Sequence, residues 1–299
     1  MACYRDLRAQ SAANTAKHEQ RKETGDSLSI NNEPNIAFVG AGNMASSIIS
    51  GLLNSGFSSK HIAASDPNQD SLDKLQSAHG ITTTTDNLGI IHDADVVLLA
   101  VKPQVMKLVC ENIRTGLNKN VVVISIAAGI TCANLASWLG EDLALVRCMP
   151  NTPAQVGIGA SGLYANDNVS DLQKTLTEKI MNAVGITRWV DSEALIDTVT
   201  AISGSSPAYF FLFIESMIDA ATKQGMNQQT ARDLAIQTAL GAAKLAQESD
   251  DDIVELRRKV TSPKGTTERA IEVFETQHLR DTVADAMQAC VKRAQELAS

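Results

Sequence analysis

NIAFVGAGNMA, residues 35–45, is the stretch that decides the fold predicted for this chain. A short apolar run ends at two glycines and a helix-forming run follows, which predicts a strand, a tight turn and a helix. The pattern is G-x-G-x-x-A, the dinucleotide fingerprint: Gly40 allows the turn, Gly42 lets the backbone approach a pyrophosphate, and Ala45 lets the helix pack on the strand. The phosphates would then lie on free N–H groups of the helix. A glycine turn in an irregular loop is the alternative, and the flanking strand and helix disfavour it.

Length and composition limit the classes of function. The 299 residues suffice for about two domains, and 44% apolar residues permit a sizeable core. The net charge of −8 argues against nucleic acid or an anionic membrane as the main partner. Aromatic residues make up 4% of the chain, too few for base-stacking platforms. These values favour a protein that acts on small molecules.

Cysteine usage and the first residues indicate a cytoplasmic location. The cysteines are odd in number, widely spaced and without a C-x-x-C pair, which is typical of reduced thiols. We expect Cys132 and Cys148 to fill core space. Residues 1–34 lack the apolar segment of a signal peptide and are predicted to be a polar, disordered tail. No apolar run approaches the roughly 20 residues of a membrane span. The five cysteines are Cys3, Cys110, Cys132, Cys148 and Cys290.

Strands and helices alternate in the first half, which predicts a parallel α/β sheet of the Rossmann type over residues 35–191. The run DVVLLAV, residues 95–101, is apolar throughout, as a strand buried on both faces should be. The last two strands are expected at the sheet edge. After the strand at 36–39, predicted strands are 61–65, 81–85, 95–101, 121–126, 143–148, 159–164 and 185–190.

Helical periodicity replaces the strand pattern over residues 192–299. Ser206 is predicted to cap a helix with Pro207 at its first position, and Asn227 to cap the next. The loop TSPKGTT, residues 261–267, separates these from two further helices. Because this all-α domain is small and apolar, we expect it to bury a face against a second subunit.

Ligands of a doubly wound sheet bind beyond the carboxyl ends of its strands. Lys102 would lie there, towards the nicotinamide, although a solvated strand-end lysine is the alternative. Asn87 is a weaker candidate, near the adenosine ribose. The other candidate cofactor-binding residues at these ends are Gly40, Ala41, Gly42, Asn43, Met44, Ser65, Asp66, Asn68, Val101, Pro103, Ala127, Ala128 and Gly129.

Asp66 bears on the choice of cofactor. It follows the second strand, where an acidic residue bonds the ribose 2′-hydroxyl and disfavours a 2′-phosphate. No arginine adjoins it, which favours NADH. Ser65 and Asn68 could nevertheless bond a phosphate, so both NADPH and NADH stay open.

Two loops in the helical half are candidate substrate sites. The first, SGSSPAY, contains Ser203, Gly204 and Ser205. In the second, Gly265 and Thr266 would open a helix whose free amides and hydroxyls suit a carboxylate. Ordinary helix capping is the alternative for each loop. The five histidines are scattered, and no metal-ligand spacing is present.

Taken together and in order, six motifs resemble those of pyrroline-5-carboxylate reductases. The resemblance covers residues 35–299, and its two last motifs, in combination, are specific. It implies a Rossmann-like domain, a helical domain that interlocks with its mate in a homodimer, from which a dimer-based higher oligomer can form, and a substrate site at the dimer interface. The motifs are GAGNMA, AVKP, SIAAG, MPNTP, SGSSPAY and TSPKGTT.

The resemblance also implies site residues and a reaction. Glu193, Gly265, Thr266 and Thr267 match the substrate neighbourhood, whereas Lys264 stands where the family often has glycine. Matches to cofactor contacts are Ala41, Asn43, Met44, Asn87, Val101, Lys102 and Ala128, with Asp66 and Asn68 at the adenosine 2′-position.

The implied reaction is NADPH- or NADH-dependent reduction of L-1-pyrroline-5-carboxylate to L-proline. Thr267 and Lys102 are the candidate catalytic residues, with Thr267 as the hydrogen-bond partner of the imine nitrogen. A β-hydroxyacid dehydrogenase is the alternative enzyme, but its G-x-x-x-N-x-x-K run is absent. A dinucleotide-binding protein without catalysis is the other alternative, which the intact substrate loop disfavours.

Overall fold

A computed structural model describes residues 33–298. The tail predicted over residues 1–34 therefore lies, up to residue 32, outside the described residues. Within the described part, eight strands form one sheet, and each predicted strand is confirmed to within two residues at its ends. The strands are β1 (Ile36–Val39), β2 (Ile62–Ser65), β3 (Thr82–Thr84), β4 (Val96–Leu99), β5 (Val122–Ser125), β6 (Ala144–Met149), β7 (Gly159–Ala165) and β8 (Gly185–Trp189).

The sheet has the order β3-β2-β1-β4-β5-β6-β7-β8. Strands β1 to β6 are parallel, β7 is antiparallel to β6, and β8 is parallel to β7. Every residue of β1, β4 and β5 is buried, as near-continuous apolar runs predict for strands covered on both faces. Because chain order reverses between β1 and β4, their carboxyl ends flank the crevice in which such sheets bind ligands.

Helices cover the sheet and then continue alone to the carboxyl terminus. The sequence pattern does not predict α3, which is too short for periodicity, or α5. Within residues 33–298 the helices are α1 (Asn43–Asn54), α2 (Gln69–His79), α3 (Leu88–Ile91), α4 (Pro103–Ile113), α5 (Cys132–Leu139), α6 (Asp171–Met181), α7 (Leu195–Val199), α8 (Ser206–Lys223), α9 (Gln228–Glu248), α10 (Ile253–Lys259), α11 (Thr266–Thr276) and α12 (Leu279–Ala298).

Helix α5 begins with a capping box that the sequence does contain. The Thr131 hydroxyl accepts a hydrogen bond from the Asn134 backbone N–H at 3.0 Å, and the Asn134 side chain accepts one from the Thr131 backbone N–H at 3.2 Å. Glutamate or glutamine is the usual residue at the second position of this motif. Because asparagine takes that place here, the usual sequence pattern of a capping box does not find this helix start.

The start of α8 differs from the prediction. Ser206 is not the cap but the first residue of the helix, and its hydroxyl donates to the Ala201 carbonyl oxygen at 3.0 Å. A π-helical turn, Thr200–Gly204, leads directly into α8, so Ser205 at the cap already has helical backbone angles. A capping side chain needs an extended residue before the helix. The predicted Asn227 cap of α9 is confirmed, since its side chain accepts from the N–H groups of Gln229 and Thr230.

Two apolar cores lie on the opposite faces of the sheet. Side chains alternate along β1, so that Ile36 and Phe38 join one core, with Ile48 of α1, while Val39 joins the other, with Met106 of α4. Both cores are sealed by helices, which fixes the carboxyl ends of the strands as the open edge of the α/β half.

Among its described residues, the helical half has no comparable core within one chain. The buried apolar residues that the structure describes in α8 to α12 are alanines: Ala231, Ala235 and Ala294. Phe210 and Phe211 on α8 are each 67% exposed, and large apolar side chains on α9 to α12 are exposed as well. Contiguous apolar surface of this kind marks an interaction site. Among helices within residues 33–298, none is both long and apolar enough to span a lipid bilayer.

Candidate functional site

The glycine turn after β1 is held tightly against the two neighbouring strands. The Gly40 N–H donates to the Ser65 carbonyl oxygen at 2.7 Å, and its φ of +107° is a conformation that favours glycine. A Cβ at Gly40 would lie 2.7 Å from the carbonyl oxygen of Ala100. The turn therefore requires glycine for both reasons, as the fingerprint predicts.

Gly42 is the part of the turn that remains open. It is the N-cap of α1, and no side chain caps that helix end. A Cβ built on Gly42 meets no atom within 4 Å. The first N–H groups of a helix have no partner within it, so Asn43 and Met44 begin a helix whose donors face open space. This cradle fits the pyrophosphate of a dinucleotide, which binds helix N-termini by charge-assisted hydrogen bonds.

Asp66 lies beside this cradle and holds its loop. One carboxylate oxygen accepts from the Ala41 N–H and the other from the Asn68 N–H, each at 2.8 Å. The Asn68 side chain in turn accepts from the Ser71 N–H at 3.4 Å and caps α2. Asp66 thus lies where the sequence predicts, at the end of β2, and its bond to Ala41 is an additional role that no sequence pattern indicates.

Ser65 and Asn87 lie together at the same edge. The buried Ser65 hydroxyl donates to the Asn87 side-chain oxygen at 2.7 Å. The Asn87 amide donates to the Asn112 side-chain oxygen at 3.3 Å. Asn87 is therefore held at the carboxyl end of β2, whereas the Ser65 hydroxyl is already engaged within the protein.

Lys102 and the segment 127–129 follow the paired strands β4 and β5. Lys102 is exposed in extended conformation at the N-cap of α4, which begins at Pro103, and it forms no ion pair with the described residues. Behind β5, the Ala127 N–H donates to the buried Ser125 hydroxyl at 3.4 Å, and the buried Gly129 has a φ of +76°. The predicted strand ends therefore meet along one edge, with the Lys102 ammonium free to approach a ligand.

Asn151 joins the first predicted substrate loop to the sheet. Its buried side chain donates to the Ser203 carbonyl oxygen at 3.1 Å and accepts from the Ala160 N–H at 2.9 Å. A Cβ at Gly204 would lie 2.7 Å from the terminal methyl carbon of Met149. The turn that contains Ser203, Gly204 and Ser205 is thus held against the carboxyl end of β6.

The Glu193 carboxylate has two partners in the α/β half. One of its oxygens accepts from the Cys132 backbone N–H at 2.6 Å and from the Arg147 guanidinium at 2.9 Å. Arg147 is not among the residues that the sequence motifs indicate. A charged arginine within an otherwise apolar strand is the signal by which this partner of Glu193 could have been found. Burial raises the pKa of the Cys132 and Cys148 thiols to about 12, so both stay protonated, and the predicted core-filling role of these two cysteines is confirmed.

The second predicted substrate loop, residues 261–267, leads from α10 into the start of α11. Its Lys264 has a φ of +60°, and its N–H donates to the Glu268 carboxylate at 2.7 Å. Gly265 is the N-cap of α11, which opens with the exposed Thr266 and Thr267. No hydrogen bond among the described residues joins residues 261–267 to the carboxyl edge of the sheet.

Comparisons with known proteins match both halves of the chain. A family model described as pyrroline-5-carboxylate reductase dimerisation matches residues 193–297, and one described as NADP oxidoreductase, coenzyme F420-dependent, matches residues 35–129. The predicted fold class, a Rossmann-like domain followed by a helical dimerisation domain, is confirmed. The exposed apolar side chains of α8 to α12 lie within the part that matches the dimerisation model.

Relatives and solved structures agree with the family models. The pyrroline-5-carboxylate reductase of Pseudomonas aeruginosa is 49% identical over 89% of this chain and 97% of its own, and that of Vibrio alginolyticus is 46% identical over 88% and 97%. The structure of a Coxiella burnetii pyrroline-5-carboxylate reductase superposes with a TM-score of 0.86, at 45% identity over 90% of this chain and all of that one. The structure of the Plasmodium falciparum pyrroline carboxylate reductase with NADP bound superposes with a TM-score of 0.79, at 29% identity over 89% of this chain and 99% of that one.

Proposed function

The chain belongs to the pyrroline-5-carboxylate reductase family, and on that premise we propose which of its residues bind the cofactor, which bind the substrate and which assist the reaction. It is an oxidoreductase that reduces L-1-pyrroline-5-carboxylate to L-proline with NADPH or NADH, the final step of proline biosynthesis. We place this activity in the cytoplasm, in keeping with the relatives' role in amino-acid synthesis. The open helix N-terminus at Gly42 is the observation that supports the division of roles proposed below.

The cofactor would lie along the carboxyl edge of the sheet. Gly40, Gly42 and the first N–H groups of α1 hold its pyrophosphate, while Asp66, Asn68 and Asn87 lie towards its adenosine. Lys102 and residues 127–129 lie towards its nicotinamide, which supplies the hydride when it is bound. The alternation of strands and glycine turns places all of these groups on one edge, which supports this assignment.

The substrate site is proposed to form across the dimer. Residues 203–205 are held at the end of β6, whereas the helix start at Thr266 and Thr267 has no hydrogen bond to that edge among the residues that the structure describes. The dimerisation domain can bring the second loop from a partner subunit. The free first-turn N–H groups of α11 would then hold the substrate carboxylate, with Glu193 nearby.

Thr267 is the proposed hydrogen-bond partner of the imine nitrogen. A protonated imine accepts hydride more readily, so a hydroxyl group held at the nitrogen assists the step while the rest of the site positions the ring. Among the described residues, Thr267 at the start of α11 offers such a hydroxyl beside the amides proposed for the substrate carboxylate.

Replacing Thr267 with alanine is expected to lower kcat about tenfold, the loss that follows when one hydrogen bond of ~1.4 kcal/mol to the reacting nitrogen is removed. The Thr267→Ser variant keeps the hydroxyl and should retain most of the turnover. Steady-state kinetics across pH compare the two variants. Full turnover of Thr267→Ala at saturating substrate, with an unchanged pH profile, would remove Thr267 from this role.

Asp66 is expected to set the preference for NADH over NADPH. The carboxylate already accepts two backbone N–H groups and stays next to the glycine turn, where its charge would repel a 2′-phosphate. We expect Asp66→Ser to raise the ratio of kcat/KM for NADPH to that for NADH by about tenfold, equivalent to ~1.4 kcal/mol. Asp73→Ser, which removes an exposed carboxylate of α2 that accepts from the Gln69 side chain, should leave the ratio within about twofold. An unchanged ratio in Asp66→Ser would contradict the assignment.

The reaction is tested directly by purified protein, L-1-pyrroline-5-carboxylate and either NADPH or NADH, followed by the nicotinamide absorbance. We expect oxidation of the cofactor and an equal amount of proline. Cofactor binding without oxidation would favour the dinucleotide-binding alternative instead.

A further inference from the structure

Arg147 is a charged residue in the middle of the buried strand β6. Its side chain is 6% exposed, and Arg147 lies two residues before Met149, where the strand ends at the candidate site. A buried charge is costly unless an opposite charge and hydrogen bonds compensate for it. The compensating partner therefore indicates what this residue does.

That partner is Glu193, at the junction between the sheet and the helical half. A single oxygen of Glu193 accepts from the Arg147 guanidinium at 2.9 Å and from the Cys132 N–H at 2.6 Å. The second donor belongs to the first turn of α5, where the helix dipole favours a negative charge. Glu193 is thus held by β6 and α5 together, although it lies 46 and 61 residues away from them in the chain.

The segment that follows Glu193 leads to the substrate turn. Helix α7 begins at Leu195, and Val199 at its end packs so closely on Gly162 of β7 that a Cβ there would lie 2.5 Å from it. The π-helical turn comes next, and Asn151 holds its Ser203. The segment from Glu193 to Ser205 is therefore attached to the sheet at Glu193, at Val199 and at Ser203.

We propose that Arg147 is a positioning residue of the reductase, holding Glu193 and through it the placement of the turn at residues 203–205. This inference rests on the proposed role of Glu193 and that turn in substrate binding. Arg147 itself is too buried to contact the substrate, and it acts only through Glu193. Most of the proposed cofactor edge, at β1, β2 and β4, lies outside this linkage, and only residues 127–129 adjoin α5 in the chain. Substrate binding should therefore respond more strongly than cofactor binding to the loss of Arg147.

The experiment compares Arg147→Met and Arg147→Lys with the wild-type dimer. Methionine fills the strand position without charge, and we expect the KM for pyrroline-5-carboxylate to rise at least about tenfold because the site is misplaced. The KM for NADPH should stay within about twofold. Lysine keeps the positive charge but lacks the planar guanidinium group with its fixed N–H donors, so Arg147→Lys should raise the substrate KM only about threefold.

Arg188→Met is the matched control. Arg188 is an exposed arginine on β8 whose guanidinium donates to the neighbouring Thr187 carbonyl oxygen. Removing it should leave both KM values within about twofold, as surface substitutions usually do. Thermal unfolding of all the variants separates loss of stability from loss of substrate binding.

Several outcomes would overturn the inference. One is an Arg147→Met variant that is less stable but has an unchanged substrate KM, and another is an equal rise of both KM values. If the methionine variant does not fold, an unchanged substrate KM in Arg147→Lys overturns the inference, and the threefold rise supports it. A wild-type protein without reductase activity would overturn the proposed function and this inference together, whereas an active wild type with one of the other outcomes overturns this inference alone.

Discussion

Replacing Gly42 with valine is expected to abolish cofactor binding while the protein stays folded. Gly42 has a φ of −73°, which any residue adopts, and a Cβ there meets no atom within 4 Å. The added side chain therefore causes no strain in the protein, but it fills the space through which the pyrophosphate approaches the α1 amides. Losing two charge-assisted hydrogen bonds weakens binding by about 3 kcal/mol, or at least about 100-fold in Kd for NADPH.

Gly40→Ala provides the contrasting control in the same turn. Its φ of +107° and the Ala100 carbonyl oxygen 2.7 Å from the new Cβ make the substitution strained whatever ligand is present. We expect it to lower the free energy of unfolding by more than about 2 kcal/mol. Titration calorimetry with NADPH and thermal unfolding distinguish the two variants. A Gly42→Val protein that binds NADPH with wild-type affinity would show that the pyrophosphate lies elsewhere.

Charge introduced on the exposed apolar face of α8 is expected to separate the subunits and to remove activity. Phe210 and Phe211 are each 67% exposed in the single chain, so replacing both with aspartate does not disturb the monomer core. In the dimer, the two carboxylates would be buried without partners, which costs several kcal/mol. Because the loop at residues 261–267 is proposed to complete the site of the partner, kcat/KM should fall at least about 100-fold.

Leu108→Asp on α4 is the matched control, since Leu108 is 71% exposed but lies on the α/β half. It should leave both the mass in solution and the activity unchanged. Light scattering gives the oligomeric state, and titration with NADPH should show that the separated subunits still bind the cofactor. Full activity in a monomeric Phe210→Asp/Phe211→Asp protein would contradict a substrate site shared between subunits.

The cofactor edge could be read from the sequence because its determinants are local. A strand, two glycines and a helix within eleven residues predict the turn at Gly40 and Gly42. The apolar run DVVLLAV predicts that Lys102, which comes directly after it, lies at the end of a strand. Parallel strands bring such ends to one edge without further information. The sequence does not indicate which individual groups form hydrogen bonds at this edge. The Asp66 carboxylate accepts from the Ala41 N–H, and the Ser65 hydroxyl donates to the Asn87 side chain.

In the helical half, the sequence predicts the helices but not how one of them begins. These helices follow from apolar periodicity, the cap at Asn227 is confirmed, and a helix begins at Thr266, beside the predicted start at Gly265. The predicted cap at Ser206 is wrong because a π-helical turn leads into the helix and leaves no extended residue before it. The division into domains at residues 35–191 and 192–299 stays a prediction.

The sequence by itself determined the dinucleotide turn, the succession of strands along the chain, and the family, because periodicity, glycine chemistry and motif spacing are properties of neighbouring residues. Only the tertiary structure decided that Arg147 and the first turn of α5 hold Glu193, and that Asn151 holds Ser203, since each contact joins residues 46 to 61 positions apart. Such contacts form because a buried charge or amide must find a partner once the sheet closes around it, and the chain alone does not reveal which partner will be near.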